Sequence, residues 1–354
     1  MKKRIKGFFF LLIAILYLFL GLLTIIGFIA PYLTVQAFSS AQFTPIAAMY
    51  LLPVHLAALV YFGWKSRNWL PAALVFFCMS LSLGLKDYNW QSPDTSQQQS
   101  LRVVSFNVRT FSYNLSNVDS VAQLIQSLGP DVVCMQEFRN NQLQDSVNAL
   151  QYFADALGLP YYRFTLLPIH IQGGVIFSRY PIVAIDTLFM PLAEINSGVI
   201  ATLETPAGRV GIANVHLSSF RIEGTLKKYT RWQDKFRAVR DKSRITLKLQ
   251  QEKVHAILQK TEVYAHPLIL AADMNAVAHT SITTPLTRRF RDSFRLKGEG
   301  LGWSYPLIGA AGLRIDYQFV SDEWEVLEHR VVQSGISDHY PLLGVYRLKS
   351  NPQP

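Results

Sequence analysis

The feature that most constrains this chain is an apolar run close to its N-terminus. Residues Gly7 to Ala30 are 24 consecutive positions without a charged side chain. A helix of about 20 apolar residues spans the hydrocarbon core of a bilayer. We predict that this run is a transmembrane helix.

Two more apolar runs follow, Ala41–Phe62 and Trp69–Leu85, and Pro45, Pro53 and His55 interrupt the first of them. A cleaved signal peptide is the alternative for the N-terminal run, because the chain begins with the basic sequence MKKRIK. That run is long for a signal peptide, and no clear small-x-small cleavage site follows it. We therefore predict a membrane anchor over residues 1–87, with transmembrane helices at about 7–30, 41–62 and 69–85.

The placement of Lys and Arg predicts the orientation of these helices, because cytoplasmic loops carry an excess of basic residues. Four basic residues between Lys2 and Lys6 precede the first helix, and residues 31–40 carry no charge. Lys65 and Arg67 lie between the second and third runs. Three crossings would leave the rest of the chain outside. We predict a multi-pass protein of the inner or plasma membrane, with its globular part on the non-cytoplasmic side.

The chain changes character after the anchor. Residues 88–100 are polar and rich in Gln and Ser, which is typical of a flexible linker. From residue 101 to 349, short β-rich runs alternate with helical stretches, the longest at about Arg231–Lys260, and this order predicts an α/β domain. Residues 350–354 form a tail. The two cysteines, Cys78 and Cys134, lie in different parts of the chain, and we expect no disulfide between them.

Most of the predicted strands end in an acid, an amide or a histidine. These residues are Asn107, Glu137, His216, Asp273, Asn275 and Asp316, and the turn SGISDHYPL adds Asp338 and His339. Each of them alone has an ordinary structural explanation, such as a turn-forming Asn or a core histidine. Strand ends that converge, however, are where a sheet fixes side chains while loops leave room for a substrate. The repeated position predicts one shared site.

The composition of this set predicts its chemistry. Carboxylate, amide and imidazole groups together indicate oxygen-rich coordination of a hard divalent cation such as Mg²⁺. The sequence has no CxxC and no HExxH, which argues against structural zinc. It also lacks GxxxxGK[ST] and GxSxG, so that neither a P-loop enzyme nor a serine hydrolase with a nucleophile elbow is expected.

Taken in order, the motifs resemble those of a known family. The series SFNV, QEF, GGVIFSRYPI, NVHL, ADMN, RIDYQFVS and SDHYPL is similar to the endonuclease/exonuclease/phosphatase superfamily, over about residues 101–348. The resemblance implies a four-layer α/β sandwich, in which two mixed β-sheets pack face to face between outer helices. It also implies Mg²⁺- or Mn²⁺-dependent cleavage of phosphoester bonds. The stretch ADMN departs from the usual pattern, which often begins with Gly, and it lacks the common acidic and proline-containing continuation.

The resemblance implies a role for each residue of the set, beginning with the metal. Glu137 resembles the principal metal-binding carboxylate, and Asp338 resembles a second metal ligand. Asn107 resembles the residue that helps to hold the metal or a phosphate oxygen. A cation at these groups would neutralise the charge that builds up on a phosphodiester during attack, and it would lower the pKa of a bound water.

The other five residues are expected to act on water and phosphate. Asp273 resembles the group that orients or deprotonates the attacking water, and Asn275 resembles a phosphate contact beside it. His216 and His339 resemble histidines that contact the phosphate. Asp316 resembles the carboxylate that pairs with His339 and favours its protonated form. The acidic partner of His216 stays unassigned at this stage.

These observations predict a membrane-anchored phosphoesterase that hydrolyses phosphodiester bonds of nucleic acids or phospholipid headgroups outside the cytoplasm. Two alternatives stay open. One is a phosphomonoesterase that acts on inositol-phosphate-like substrates, and the other is a catalytically inactive module that binds phosphate. The intact set of polar residues argues against inactivity. We expect the substrate and the bilayer as partners, and no protein partner.

A basic insert separates the NVHL and ADMN motifs. Residues 221–253 contain eleven Lys and Arg and four acidic residues, in a chain whose net charge is +10. A solvated helix face is the simplest explanation. Anionic lipid headgroups or nucleic-acid phosphates are the alternatives as binding partners. Trp232, Phe236 and Ile245 provide apolar groups either for lipid contact or for packing on the domain.

Overall fold

The computed structural model describes residues 2–91, 100–112, 117–140, 148–164, 172–190, 196–307 and 311–349. The chain forms two compact units. The first, named the anchor unit after the predicted membrane anchor that it contains, comprises Met1–Asp87, Arg221–Lys248 and Val277–Thr284. The second, the sandwich unit, comprises Tyr88–Phe220, Leu249–Ala276 and Pro285–Pro354. The predicted division into consecutive segments therefore did not foresee that the basic insert and a second short segment group with the N-terminal helices.

The helices of the described residues are short except for the first and the tenth. They are α1 (Lys2–Ile29), α2 (Val35–Phe38), α3 (Thr44–Tyr50), α4 (Leu52–Lys65), α5 (Leu70–Gly84), α6 (Arg109–Ser112), α7 (Asn117–Ser127), α8 (Ala149–Leu157), α9 (Ile222–Lys227), α10 (Trp232–Glu262), α11 (Thr284–Arg289) and α12 (Ser293–Lys297). Short 3-10 helices cover Ala30–Tyr32, Ser39–Phe43 and Arg67–Trp69. The long helix predicted at about residues 231–260 is confirmed as α10.

The strands of the described residues follow in chain order. They are β1 (Tyr88–Trp90), β2 (Leu101–Asn107), β3 (Val132–Arg139), β4 (Tyr161–Phe164), β5 (Gln172–Ser178), β6 (Ile182–Phe189), β7 (Gly198–Thr205), β8 (Gly208–His216), β9 (Leu268–Asp273), β10 (Arg291–Asp292), β11 (Glu299–Leu301), β12 (Tyr305–Pro306), β13 (Gly312–Leu313), β14 (Asp316–Val320), β15 (Trp324–Val331) and β16 (Leu342–Leu348).

The prediction of three transmembrane helices is wrong. One helix of the described residues, Gly7–Tyr32, is long and apolar enough to cross a membrane. The predicted second span is bent by 57° between Ser39–Tyr50 and Leu52–Lys65. Pro53, in the first turn of α4, lacks the backbone N–H that would continue the preceding helix. The third candidate, α5, has 15 residues, and at 1.5 Å per residue it is too short for a core of about 30 Å.

Polar contacts hold the anchor unit together beside its apolar packing. His55 of α4 is fully buried, and its two ring nitrogens lie 2.9 Å from Thr24 Oγ1 and 3.2 Å from Tyr17 Oη, both on α1. Since water is excluded at this position, the pairing of these polar groups favours one arrangement of the two helices.

The segment Val277–Thr284 contacts the C-terminal end of α1 within the anchor unit. His279 Nε2 lies 2.6 Å from the carbonyl oxygen of Phe28. The backbone N–H of Ser281 donates to Gln42 Oε1 at 2.9 Å. Gln42 is buried and donates in turn to the carbonyl of Ala30 at 2.8 Å. The segment is therefore tied to the end of α1 that is opposite the basic N-terminus.

The predicted linker is only partly outside regular structure. Tyr88–Trp90 forms β1, which pairs antiparallel with Glu299–Leu301, so the prediction of a flexible linker is wrong for these three residues. Most of the remaining linker, residues 92–99, and the predicted tail, 350–354, lie outside the described residues. Cys78 and Cys134 are unbonded to each other, as expected.

The sandwich unit contains two six-stranded sheets within its described residues. Sheet I has the order β15-β16-β2-β3-β5-β4, and sheet II has the order β10-β14-β9-β8-β7-β6. Each sheet is mixed, because β2–β3 in sheet I and β8–β9 in sheet II are parallel whereas the other pairs are antiparallel. Helices flank the two sheets, so the α/β fold class and the pair of packed mixed sheets are confirmed.

The two sheets pack on each other through an apolar core that is crossed by amide hydrogen bonds. Val103, Val132 and Ile176 of sheet I share one buried cluster with Ile212 and Ile269 of sheet II. Alternating apolar residues on short strands produce such a face. A second apolar cluster, built around Phe106, Phe153 and Phe177, packs α7 and α8 on the outer face of sheet I. These layers hold the strand ends of both sheets in fixed positions.

Candidate active site

The register of sheet II places three of the predicted side chains in a row. His216 is paired with Asp273 across the parallel strands β8 and β9. Asp273 is paired with Asp316 across the antiparallel strands β9 and β14. Residues that are opposite each other on neighbouring strands project to the same face. The backbone alone therefore brings two acids and a histidine to one end of the sheet.

Sheet I contributes Asn107 and Glu137 from adjacent strands. Asn107 ends β2, and its Nδ2 donates to Asp273 Oδ2 at 2.8 Å. Glu137 lies in β3 at a register shift between Met135 and Phe138, and its φ is +51°. A left-handed φ is uncommon for a residue with a Cβ, and a bulge re-aims a side chain out of the regular alternation. The irregularity of β3 thus directs Glu137 toward the site.

The turn SGISDHYPL brings His339 against Asp316. Ser337 Oγ donates to the carbonyl of Asn107 at 2.9 Å, which fixes the turn to the end of β2. The Nδ1 of His339 lies 2.8 Å from Asp316 Oδ2, and both side chains are buried. The expected pair of a histidine and a carboxylate is therefore present in the structure.

Asp273 is at the centre of this arrangement and is completely buried. Besides the bond from Asn107, its Oδ1 accepts the backbone N–H of Asn275 at 2.9 Å. His216 Nε2 and His339 Nε2 lie 3.5 and 3.9 Å from its Oδ2. Burial and the neighbouring charge of Asp316 raise the pKa of Asp273 to about 6, although the two histidines and Asn107 oppose the shift.

Electrostatics favour the charged form of His339. Burial lowers the pKa of this imidazole, but the carboxylates of Asp316 and Asp273, together with the hydrogen bond to Asp316, outweigh that effect and raise it to about 10. A protonated imidazole has donors on both nitrogens. Because Nδ1 is bound to Asp316, Nε2 is the nitrogen that can donate a hydrogen bond to another group.

His216 is the residue for which the sequence suggested no acidic partner. Its Nε2 lies 3.7 Å from Glu137 Oε1 and 3.5 Å from Asp273 Oδ2. The same nitrogen is buried and has no hydrogen-bond partner among the described residues. Glu137 and Asp273 are thus the carboxylates nearest to His216 that the structure records, and both come from motifs that the sequence had already singled out.

Asp338 and Asn275 lie at the margin of the cluster. Asp338 Oδ2 is 3.3 Å from Arg109 Nη1, and both side chains are partly exposed. Asn275 has a left-handed φ of +47°, and its Nδ2 donates to the carbonyl of Leu217 at 3.1 Å. Arg109 was not predicted, although it follows Asn107 by two residues and its N–H donates to Asn107 Oδ1 at 2.9 Å.

Helix α10 supports the loops that carry His216 and Asp273, which sequence reasoning also missed. Gln250 is fully buried, and its Nε2 donates to the carbonyl of Ser218 at 2.7 Å and approaches that of Met274 at 3.4 Å. The buried Nζ of Lys253 donates to Ser218 Oγ at 2.7 Å. The sequence signal for this role was the presence of two polar residues, Gln250 and Lys253, three positions apart on the apolar side of the helix.

The residues present fit a divalent cation. One ligand atom each from Asp273, Asp316 and His339 lies within 4.8 Å of the others, and the surrounding donors are mostly oxygens, which hard cations prefer. The pKa of Asp273 is raised by its burial and, to a smaller extent, by the neighbouring carboxylate of Asp316. The buried Nε2 of His216 has no hydrogen-bond partner among the described residues. A cation bound beside these groups would offset the negative charge of the carboxylates.

Two packed mixed sheets that bring acids, amides and histidines together at their strand ends define a class of phosphoesterases. The model of the Endonuclease/Exonuclease/phosphatase family matches residues 104–339. The chain belongs to this family, whose members generally hydrolyse phosphodiester bonds and generally use divalent metals. The family expected from the motifs is therefore confirmed.

Solved structures share the fold at low sequence identity. An endonuclease/exonuclease/phosphatase from Beutenbergia cavernae is 18% identical, with a TM-score of 0.51 over 73% of this chain and 74% of that one. A family member from Bacteroides vulgatus is 16% identical, with a TM-score of 0.52 over 71% of this chain and 100% of that one. D. rerio TDP2 complexed with single strand DNA product is 13% identical, with a TM-score of 0.50 over 71% and 100%. None of the curated proteins matches this chain.

Proposed function

We propose that this protein is a divalent-metal-dependent phosphodiesterase. The observation that supports this function most directly is the buried group around Asp273. Its carboxylate accepts a hydrogen bond from Asn107 and lies within reach of His216 and His339. Burying charged and polar groups costs free energy unless they are paired or hydrogen-bonded, and a folded domain does not need such a cluster in its core. Their convergence from both sheets favours catalysis over a passive phosphate-binding role.

Asp273 and His339 divide the proton chemistry in this proposal. Asp273 accepts the proton of the attacking water, because a carboxylate whose pKa is raised toward neutrality is a better base than an ordinary one. His339 is protonated and donates a hydrogen bond to a phosphoryl oxygen, where negative charge develops during attack. Asp316 holds the ring of His339 in the required orientation through Nδ1.

Glu137, Asn107 and Asp338, which lie around the buried group of Asp273, Asp316 and His339, are the residues that would hold the cation. A protonated His339 has no free lone pair with which to bind it. When bound, the cation would supply positive charge against the phosphoryl oxygens. His216 and Asn275 would contact the phosphate from the ends of β8 and β9. Arg109, which is partly exposed beside Asp338, offers a further cationic contact at the rim of the site.

Phosphodiesters of nucleic acids or of phospholipid headgroups are the proposed substrates. The D. rerio neighbour was solved with a single strand DNA product, which supports the first class. A helix that can span a membrane within the same chain supports the second. A panel of DNA, RNA, sphingomyelin-like lipids and inositol phosphates, assayed under one set of conditions, would separate these classes from the phosphomonoesterase alternative.

We place the catalytic residues on the non-cytoplasmic side of the membrane. The basic residues before Gly7 favour a cytoplasmic N-terminus, so the C-terminal end of α1 would be outside. The segment Val277–Thr284 is tied to that end through Phe28 and Gln42. It begins two residues after Asn275, and two residues span less than ~8 Å. The chain cannot cross a core of about 30 Å over that length.

The experiment uses the full chain in detergent with a generic phosphodiester and Mg²⁺ or Mn²⁺. We expect chelation to abolish hydrolysis and added metal to restore it. Asp273→Asn and His339→Ala should each lower kcat by about 10²–10⁴, which is the usual contribution of positioned proton transfer. Asp322→Asn is the matched control, because this acid is 85% exposed, and it should keep wild-type activity. Hydrolysis that persists with a chelator would refute the metal requirement.

A further inference from the structure

One side of helix α10 is buried along only part of its length. Ser243, Leu247, Gln250, Val254, Ile257 and Thr261 follow one another at intervals of three or four residues, and all are buried. This spacing defines one face of an α-helix. Phe236 and Trp232 continue the same face toward the N-terminus, seven and eleven residues before Ser243. Their side chains, however, are 63% and 72% exposed.

The exposed face extends beyond the helix itself. Ile222 and Leu226 of α9 and Tyr229 in the following turn are also exposed apolar side chains. We call the segment Arg221–Lys248, which carries these side chains, the basic apron. Large exposed apolar groups that occur together mark an interaction surface, in contrast to single ones.

The charge of this region is concentrated as well. Residues 221–248 contain ten Lys and Arg and three acidic residues, a net charge of +7 in a chain of +10. Some of the charges are paired locally, as in Arg231 with Asp234 and Arg240 with Asp241, yet a large positive excess is left. Basic residues beside exposed Trp, Phe and Leu are the signature of helices that lie in a bilayer interface.

We infer that the basic apron binds the surface of an anionic phospholipid bilayer, with Trp232 and Phe236 inserted among the headgroups. The residues 221–248 belong to the same compact unit as the apolar helix Gly7–Tyr32, so the bilayer in question is the one that would hold this helix. The inference rests on the membrane anchor of the proposed function and is independent of catalysis.

Charge complementarity and apolar groups together favour a bilayer over nucleic acid. Lys and Arg alone are sufficient to bind phosphates of either kind. Aromatic side chains can stack on bases, but Ile222 and Leu226 have no such use, whereas all five exposed apolar groups lose contact with water at a bilayer interface. Nucleic acid is therefore treated as an outcome of the test.

The test measures hydrogen–deuterium exchange of the full chain in nanodiscs. One set of discs contains only phosphatidylcholine, and a second contains a substantial fraction of phosphatidylglycerol. We expect amides in residues 222–242 to exchange at least ~10-fold more slowly in the anionic discs, because several basic residues would add their attraction to the surface. Recovery of the protein in the discs reports separately on the anchor itself.

Three variants make the result specific. Trp232→Ser combined with Phe236→Ser should remove most of the protection in anionic discs, and so should Arg237→Glu combined with Arg244→Glu. Ile245→Ser is the matched control, since Ile245 is 62% exposed but lies nine residues from Phe236, about 180° around the helix. It should leave protection unchanged. Unaltered exchange in residues 249–262 shows that each variant is folded.

Three results would overturn the inference. Equal exchange in neutral and anionic discs would exclude anionic lipid as the partner of the basic apron. Full protection in the Trp232→Ser and Phe236→Ser variant would exclude insertion of the aromatic residues. Protection that appears only when a DNA oligonucleotide is added to neutral discs, at physiological salt, would assign the surface to nucleic acid instead.

Discussion

At the scale of single residues, the site is governed by two buried carboxylates on neighbouring strands. Asp273 and Asp316 are paired across β9 and β14, where two negative charges would repel each other. His339 lies between them, 2.8 Å from Asp316 and 3.9 Å from Asp273. A protonated His339 offsets the negative charge of both carboxylates, so that both can be present in the site.

The first prediction concerns Asp316. Asp316→Asn preserves size but removes the charge that favours protonated His339, so we expect kcat to fall by about 10²-fold, within the range known for positioned acid–base groups. Steady-state kinetics on a generic phosphodiester would measure the change. Asp131→Asn, at the surface pair with Arg179, is the control and should keep kcat. A wild-type kcat in Asp316→Asn would show that the pair has no role in the rate.

The sequence predicted which residues form the candidate site, but it did not predict which of them contact each other. The motifs SFNV, QEF, NVHL, ADMN, RIDYQFVS and SDHYPL indicated all eight polar residues in advance. Arg109 and Gln250 were not predicted, because an Arg after a strand and a Gln within a helix are common in any protein. Their meaning depends on Asp338 and on the carbonyl of Ser218, which are distant in sequence.

At the scale of secondary-structure elements, buried amides join the two sheets. Asn214 of β8 accepts from Gln136 of β3 at 2.9 Å and donates to the carbonyls of Met135 and Val175 at 2.9 and 3.0 Å. Gln318 of β14 donates to the carbonyl of Val103 at 3.1 Å. Apolar packing tolerates small displacements of one sheet over the other, whereas these bonds are satisfied in one position.

The second prediction tests that link. Asn214→Leu removes the stronger acceptor of Gln136, whose Nε2 keeps only Ser105 Oγ at 3.3 Å, and it removes the donor to two buried backbone carbonyls. The free energy of unfolding should therefore fall by about 2–4 kcal/mol. Urea denaturation of the full chain in detergent measures it. For comparison, Asn148→Ala removes the exposed N-cap of α8, whose side chain accepts from Gln151, and should cost only about 1 kcal/mol. Equal costs for the two variants would contradict the proposed role of Asn214.

The third prediction concerns the pH dependence of stability, which His329 of strand β15 is expected to influence. Burial lowers the pKa of His329 to about 4, while the unfolded chain protonates this residue near about 6.5. Between these values the unfolded state binds more protons, so stability is lost as the pH falls from about 6.5 to 4. The contribution is at most about 3 kcal/mol.

The measurement for His329 is urea denaturation at pH 7.5, 6 and 5. His329→Gln keeps a hydrogen-bonding group near Ser293 Oγ, which lies 3.0 Å from His329 Nδ1, but it does not titrate. We expect this variant to lose less stability than wild type over the acidic interval. An identical pH dependence in both proteins would show that His329 contributes nothing to acid sensitivity.

At the scale of the whole molecule, the N-terminal helices form a unit that is not contiguous in sequence. Arg221–Lys248 and Val277–Thr284 belong to it, although each lies between strands of the sandwich. Each insertion follows a few residues after a residue of the candidate site, His216 in one case and Asn275 in the other. The loops nearest the chemistry are thus also the loops that lead into the anchor unit.

The fourth prediction tests the proposed topology. A reporter that is active only outside the cytoplasm, fused after Pro354, should be active in intact cells. A fusion of the same reporter after Lys6 should be inactive, because the basic N-terminus is expected to be cytoplasmic. The complementary cytoplasmic reporter should give the opposite pattern. Cytoplasmic activity of the Pro354 fusion would place the site on the other side of the membrane.

The sequence by itself determined the family, the α/β class, the polar residues of the site and the presence of an apolar helix that can span a membrane. These properties depend on local composition and on motifs, which a single chain displays directly. Tertiary structure decided the rest. It showed that two of the three apolar runs are not single straight helices long enough to cross a membrane, since one is bent by 57° and the other has 15 residues. It also placed Asp273 between Asn107, His216 and His339, because strand register and sheet packing join residues that are up to 166 positions apart.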